Sequence, residues 1–321
     1  MVYALPLFPI GWLAAPSGLE RNSPTIAAPY GQWPVDRKGH LLWIPPWMTA
    51  AFSTGVPVRA PAGPTTLPAV RQVYPPPGDH PDVDLVDCFH ADQRPAPAGR
   101  PWVLVNMVNS VDGAVAVDGR AGGLSGPADM HLYQVLRGLA DVVLVGAGTV
   151  RAEGYRTPRT PDGRVTKLRD RRGQAARPRL AVVSGRLDLD PTIGMFSEHD
   201  PSDPRPLIYT TTAADPGRRA TMEPVAEVVD LESVEWSPST MLADLSARGT
   251  EVVLCEGGPT LNGQLLAEGL IDEYCLAISP RVVGGSGRAD LVDQVAGAPH
   301  EFRLDRVLVA EGFLFCRYLA T

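Results

Sequence analysis

Glu256 ends an apolar run, Val252-Val253-Leu254-Cys255, and is followed at once by Gly257-Gly258-Pro259-Thr260-Leu261-Asn262-Gly263. The run reads as a short buried parallel strand, and Pro259 suits the first position of a helix reaching to about Glu268. Free N–H groups at that helix start, with Gly257 and Gly258 allowing close backbone approach, make a cradle for a pyrophosphate, and the helix dipole favours negative charge there. Glu256 then stands beside the reacting end of whatever binds, placed for chemistry rather than for the fold. An ordinary strand-turn-helix would use the same glycines for geometry alone, so the segment needs support from elsewhere in the chain.

A second cluster, Gly146-Ala147-Gly148-Thr149, follows the strand Asp141-Val142-Val143-Leu144-Val145. It fails the dinucleotide fingerprint, because the third glycine position falls on Arg151. About 20 residues later stands a basic run, Lys167, Arg169, Arg171 and Arg172, rather than a strand-end acid. A close backbone approach to a cofactor still fits, with Thr149 donating its hydroxyl, and the basic run reads either as cations for an anionic ligand or as a solvated loop. Asp112-Gly113 and Asp118-Gly119 are two tight-turn signals flanked by apolar residues, which hairpin geometry largely explains.

These residues need a frame. Strands are expected at Trp102 to Met107, Val142 to Gly146, Leu180 to Val183, Leu207 to Thr210, Val252 to Cys255 and Glu273 to Ser279. Helices are expected at Ala128 to Leu139, Pro238 to Arg248 and Pro259 to about Glu268. Such alternation implies an α/β sheet with helices on both faces, and a closing pair around Arg303 to Ala310 and Phe313 to Leu319, turning at Glu311-Gly312, makes it mixed. Residues 1 to about 66 are Pro-rich without periodicity and hold four of the six tryptophans, which suggests a poorly structured extension. Residues 67 to 99 read as a linker with one short helix within Asp84 to Asp92, and the main domain begins near Arg100.

The net charge of −7 argues against bulk binding to nucleic acid or anionic membrane, so an anionic ligand must find local arginines. Cys88, Cys255, Cys275 and Cys316 are far apart and form no Cys/His ligand cluster, which points to reduced thiols in a cytoplasmic protein with no metal. No segment reaches the roughly 18 apolar residues of a membrane span, and the apolar start lacks the basic region of a signal peptide.

Three motifs then resemble, in order and spacing, the RibD-type reductase family of riboflavin biosynthesis. The first is Asn106-Met107-Val108-Asn109-Ser110-Val111-Asp112-Gly113. The second is Leu136-Arg137 with Ala140-Asp141 through Gly146-Ala147-Gly148-Thr149-Val150. The third is Glu256 to Leu261, continuing through Leu270-Ile271-Asp272-Glu273 to Ser279-Pro280-Arg281-Val282-Val283-Gly284-Gly285. The resemblance spans about Arg100 to Leu319. It implies a dihydrofolate-reductase-like α/β fold with a mostly parallel sheet, a homodimer, and NADPH-dependent reduction of 5-amino-6-(5-phosphoribosylamino)uracil, without the zinc deaminase that many members carry. It further implies cofactor contacts at Asn109, Gly123, Leu124, Gly146, Gly148, Thr149, Glu153, Ser184 and the segment Gly257, Gly258, Pro259, Thr260, Leu261, Asn262, Gly263. Substrate contacts are implied at Ser125, Arg137 and Glu256, with Arg159 or Arg156 replacing an arginine whose place is taken by Thr160. Glu256 would steady positive charge on the reacting carbon and Asp112 would relay a proton. The chain departs from the family in having Ala114 for a lysine and no Trp near Gly123. A pterin or dihydrofolate reductase, or a silent NADP-binding protein, are the competing readings on the same scaffold.

Overall fold

The computed structural model describes residues 68–78, 81–158, 163–231, 236–285, 290–293 and 299–321. Expectations for residues 1–66 and for Arg159 fall outside them. Among the described residues, eleven strands form one sheet in the order β2-β1-β10-β11-β9-β3-β8-β4-β5-β6-β7. They are β1 (Val70–Tyr74), β2 (Asp82–Val83), β3 (Trp102–Ser110), β4 (Val142–Gly146), β5 (Arg179–Val183), β6 (Leu207–Thr211), β7 (Glu227–Leu231), β8 (Val252–Cys255), β9 (Glu273–Ser279), β10 (Phe302–Ala310) and β11 (Phe313–Ala320). From β9 to β7 every neighbouring pair is parallel, whereas β11, β10, β1 and β2 extend the sheet in antiparallel fashion.

Alternation along the strands divides the core. Val143, Val145 and Leu254 face a cluster with α2 (Pro127–Leu139), while Val142, Leu144, Val253 and Cys255 face one with α7 (Pro238–Ala247) and α8 (Pro259–Ala267). Both faces of β4 and β8 are therefore apolar, as parallel strands sandwiched by helices require. The remaining helices are α1 (Leu85–Ala91), α3 (Ala147–Glu153), α4 (Gly163–Arg171), α5 (Gly194–Ser197) and α6 (Pro216–Met222). None is long and apolar enough to cross a membrane.

The linker expected over 67–99 joins the sheet instead. β1 pairs with β10, and α1 starts at Asp84, whose carboxylate accepts from the N–H of Asp87. Arg94 then reaches the buried Glu273 at the start of β9 through two hydrogen bonds of 2.8 and 2.9 Å, alongside Arg317 at 2.7 Å. An acid fully removed from water must be paired in this way. The two Asp-Gly sites are turns, and Asp118 and Gly119, with φ of 50° and 77°, close a bridge between Val117 and Arg120.

Candidate active site

β8 lies between β3 and β4, and its carboxyl end delivers two functions to two sides of the sheet. Side chains alternate along a strand, so Glu256, next after Cys255, turns to the face covered by α2. There Arg137 grips it with two 2.7 Å hydrogen bonds, Nε to Oε1 and Nη2 to Oε2. The hydroxyls of Tyr133 and Tyr155 both donate to Oε2. The Arg137 guanidinium lies 4.3 Å from the Tyr133 ring centroid and 5.7 Å from that of Tyr155, close enough for cation–π attraction. Burial raises both tyrosine pKa values, with the Glu256 charge adding to the effect. Burial opposes the Arg137 charge, yet Glu256 and the flanking tyrosines raise its pKa on balance. The two tyrosines thus stay neutral donors and Arg137 a cation. Expected to serve chemistry alone, Glu256 also holds α2 and the turn after α3 to the sheet.

On the next residues the backbone crosses toward the opposite side. Gly257 has φ of 81° and is joined to Gly258 by a cis peptide, its carbonyl accepting from Gly146 N at 2.8 Å. A Cβ on Gly258 would lie 2.7 Å from Thr149 Oγ1, and one on Gly146 would lie 3.5 Å from Gly258 N. The two glycine turns and Thr149 are therefore in direct contact, and side chains there would fill the approach. α8 begins at this point with Pro259 at its first position and no side-chain cap, leaving its first N–H groups available. Beside it opens a cleft of about 340 Å³ whose walls include Gly146, Gly148, Ser184, Thr260 and Leu261. Five residues expected at a cofactor, from the ends of β4 and β5 and the starts of α3 and α8, thus share one cavity. Asn109, near the end of β3, keeps a buried Oδ1 with no partner, while its Nδ2 donates to the Ser110 carbonyl. These are features a dinucleotide fits: a small-residue floor, an uncapped helix start and an unused acceptor.

The model of the RibD C-terminal domain matches residues 101–309. The chain belongs to the RibD C-terminal domain family. Over 194 residues it is 30% identical to the 2,5-diamino-6-ribosylamino-4(3H)-pyrimidinone 5′-phosphate reductase of Methanothermobacter thermautotrophicus, covering 60% of this chain and 84% of that one. It is 30% identical over 192 residues to the riboflavin biosynthesis protein RibD of Mycobacterium tuberculosis, covering 58% of this chain and 44% of that one. A pyrimidine reductase-like protein of Corynebacterium diphtheriae shares the fold, with a TM-score of 0.67 at 24% identity over 74% of this chain and 99% of that one.

Several residues carried over from the RibD C-terminal domain pattern make contacts within the protein itself. Asp112 accepts from Ser110 Oγ at 2.6 Å and from the N–H groups of Val283 and Gly284 at 3.1 and 2.9 Å. These donors, Ser110 foremost, hold its carboxyl far below the usual carboxylate range. Through these contacts the ionised Asp112 ties the turn after β3 to the 283–284 segment. Leu124 is wholly buried, its N–H bonded to Ala121 and its carbonyl to Ser279, and Gly123 is needed because a Cβ would meet Val117 at 2.7 Å. Glu153 accepts from Ala121 N at 2.8 Å and so fixes that same loop. The Ser125 hydroxyl is taken by the buried Asp129.

Within 257–263 the last two positions turn away from the cleft. Asn262 is buried, donating to the Leu291 carbonyl at 3.1 Å, and Gly263 faces the Asp293 carbonyl. Arg156, next after Tyr155, is paired with Glu198 on the surface. Two members of the basic run serve the fold. Arg169 is buried and donates to the carbonyls of Gly138, Ala140 and Ala175, and Arg172 donates to that of His90. Arg169 thus braces α4 against the end of α2 and Arg172 reaches α1, whereas Arg151 and Arg186 are the arginines that line the cleft. Neither these two nor Tyr133 and Tyr155 stood out in the sequence. The spacing Tyr133-Arg137, one helical turn, was the available signal for the tyrosine on α2.

Proposed function

We propose that this protein reduces a phosphorylated ribosylaminopyrimidine of riboflavin biosynthesis to its ribityl product, with NADPH as the reductant. The observation that supports this reading most is the double duty of one strand end. Glu256 and Arg137 gather on the α2 side, while Gly257 and Gly258 lead past Gly146 and Thr149 to Thr260 and Leu261, which line the cleft beside α8. A substrate and a cofactor held on those two sides meet where β8 ends, and alignment of two reactants is a large contribution a hydride-transfer site can make. The name of the archaeal relative, a reductase of a ribosylaminopyrimidinone 5′-phosphate, supports the substrate class.

The cofactor would lie along Gly146, Gly148, Thr149, Ser184 and the Gly257 to Leu261 turn, and when bound it supplies the hydride. The chain's own residues do the rest. Opening of the ribosylamine ring leaves a C1′=N bond with partial positive charge on C1′, and the Glu256 carboxylate stabilises that charge while Arg137 and the two tyrosines keep it in place. Arg137, hydrogen-bonded through Nε and one Nη, has further N–H donors for a substrate oxygen. Asn109 offers its unused Oδ1 as an acceptor at the end of β3. Purified protein should oxidise NADPH only when the phosphorylated pyrimidine is present. Turnover with dihydrofolate and none with the pyrimidine would select the pterin-reductase reading instead.

A further inference from the structure

Arg169 is wholly buried, and it pairs with no carboxylate among the described residues. Its Nε donates to the Ala175 carbonyl at 2.8 Å and its Nη1 to those of Gly138 and Ala140 at 3.1 and 2.7 Å. Gln174 Nε2 takes the carbonyl between them, that of Leu139, at 2.9 Å. Three successive carbonyls at the end of α2, which a helix terminus leaves without partners of its own, are thus closed by side chains from α4 and the turn after it. Burying a cation without a counter-charge is costly, and the negative end of the α2 dipole offsets that cost here. α4 also presses on α2 at this place, since a Cβ on Gly138 would run into Val165.

This junction is tied to Glu256 from two directions. Arg137 stands immediately before the three carbonyls, in the last turn of α2, and its side chain reaches the Glu256 carboxylate. Gln174 Nε2 also donates to Asp141 Oδ1 at 2.7 Å, while Asp141 Oδ2 accepts from the N–H groups of Glu251 and Val252 at 2.9 Å each. Val252 opens β8, the strand whose last residue, Cys255, precedes Glu256. The helix that carries Arg137 and the strand that delivers Glu256 are therefore fixed to each other at one hydrogen-bonded junction, at the end of β8 opposite the site. We propose that Arg169 and Gln174 are positioning residues. By locking the last turn of α2 against the start of β8 they set the reach of Arg137 toward Glu256, and with it the aim of the remaining Arg137 donors at a substrate oxygen, without touching the substrate themselves. This rests on the reading that Arg137 and Glu256 face the substrate.

Steady-state kinetics on the full chain, with NADPH affinity measured beside them, test the assignment. Arg169→Met, which leaves the Gly138 and Ala140 carbonyls unpaired, should lower kcat/KM for the phosphorylated pyrimidine by about tenfold or more, the scale of a displaced site residue, with NADPH affinity within about twofold. Arg169→Lys, which keeps the cation but not the fork, should recover part of the loss. Gln174→Met should show the same pattern at about threefold or more, and it carries the test if Arg169→Met does not fold. Arg172→Met, which removes a bond to the His90 carbonyl, should leave kcat/KM within about twofold. In an Arg137→Lys background the Arg169→Met loss should shrink to under about threefold, because the effect runs through Arg137. An unchanged kcat/KM in a folded variant, an equal loss in both backgrounds, or a parallel loss of NADPH affinity would overturn the assignment. Wild-type protein that does not turn over the pyrimidine would instead overturn the reading beneath it. The NMR resonance of the Arg137 Nε–H, hydrogen-bonded to Glu256, then decides the positioning alone: shifted or broadened in Arg169→Met supports it, and unchanged overturns it.

Discussion

The Glu256 carboxylate accepts four hydrogen bonds, two of them from Arg137, so removing its charge probes chemistry and fold together. Glu256→Gln should lower turnover about tenfold or more while NADPH affinity stays within a few-fold. It should also lower the melting temperature by several degrees, because a buried guanidinium left without its carboxylate costs about 3 kcal/mol. Turnover unchanged in a folded variant would contradict the catalytic role, and an unchanged melting temperature the structural one. Asp129 offers a second residue-scale test. Burial raises its pKa to about 6, against the lowering effects of Ser125 and Arg281. The folded chain thus holds this proton more tightly than the unfolded one, where aspartate titrates near ~3.9. The stabilisation is fully present below that lower value and is lost as pH rises through about 6. Asp129→Asn should therefore gain melting temperature relative to wild type at pH well above 6 and lose that advantage in acid; a difference independent of pH would contradict it. Residue types told much of this in advance. Glu256 beside two glycines and Arg137 in its motif were legible, whereas Tyr133 and Tyr155 reach Glu256 across 123 and 101 residues of chain and only after the sheet has formed.

At the scale of elements, β4 and β8, whose apolar runs are buried on both faces, and β9, whose burial alternates, were readable almost to the residue. β1 was not, because only Val70 of its five residues is buried and it lies near the sheet's edge, where pattern is weak. α3 was missed because Gly146-Ala147-Gly148 reads as a turn, although the helix starts at Ala147. In α4, charge suggested a ligand where the structure has Arg169 closing carbonyls of neighbouring segments. α8 carries its own prediction. A Cβ on Gly263 would come within 1.8 Å of the Asp293 carbonyl oxygen, so Gly263→Ala must push the 290–293 segment off the helix. Asn262 and Thr260 bond to that same segment, so the variant should lose NADPH affinity by several-fold and show faster amide exchange across α8. Exchange and affinity like wild type would show that the segment yields freely.

For the whole molecule, the family resemblance implies a homodimer, and the surface offers a place for one. Val111 and Val282 are 64% and 73% exposed, and they neighbour each other because Val111 N bonds to the Arg281 carbonyl at 2.8 Å. Light scattering should give about twice 34.3 kDa, and Val282→Glu should shift the protein toward a single 34.3 kDa copy. A wild-type mass of one copy at micromolar concentration would contradict the dimer. The proposed activity turns on one claim: the end of β8 brings a reductant and a ribosylaminopyrimidine 5′-phosphate together. The most direct test follows NADPH absorbance in purified full-length protein, adding the phosphorylated pyrimidine, its dephosphorylated form or dihydrofolate in separate runs. The account predicts oxidation that starts on adding the phosphorylated pyrimidine and yields the ribityl product one-for-one with NADPH consumed. NADPH that binds yet stays unoxidised with that substrate would contradict it.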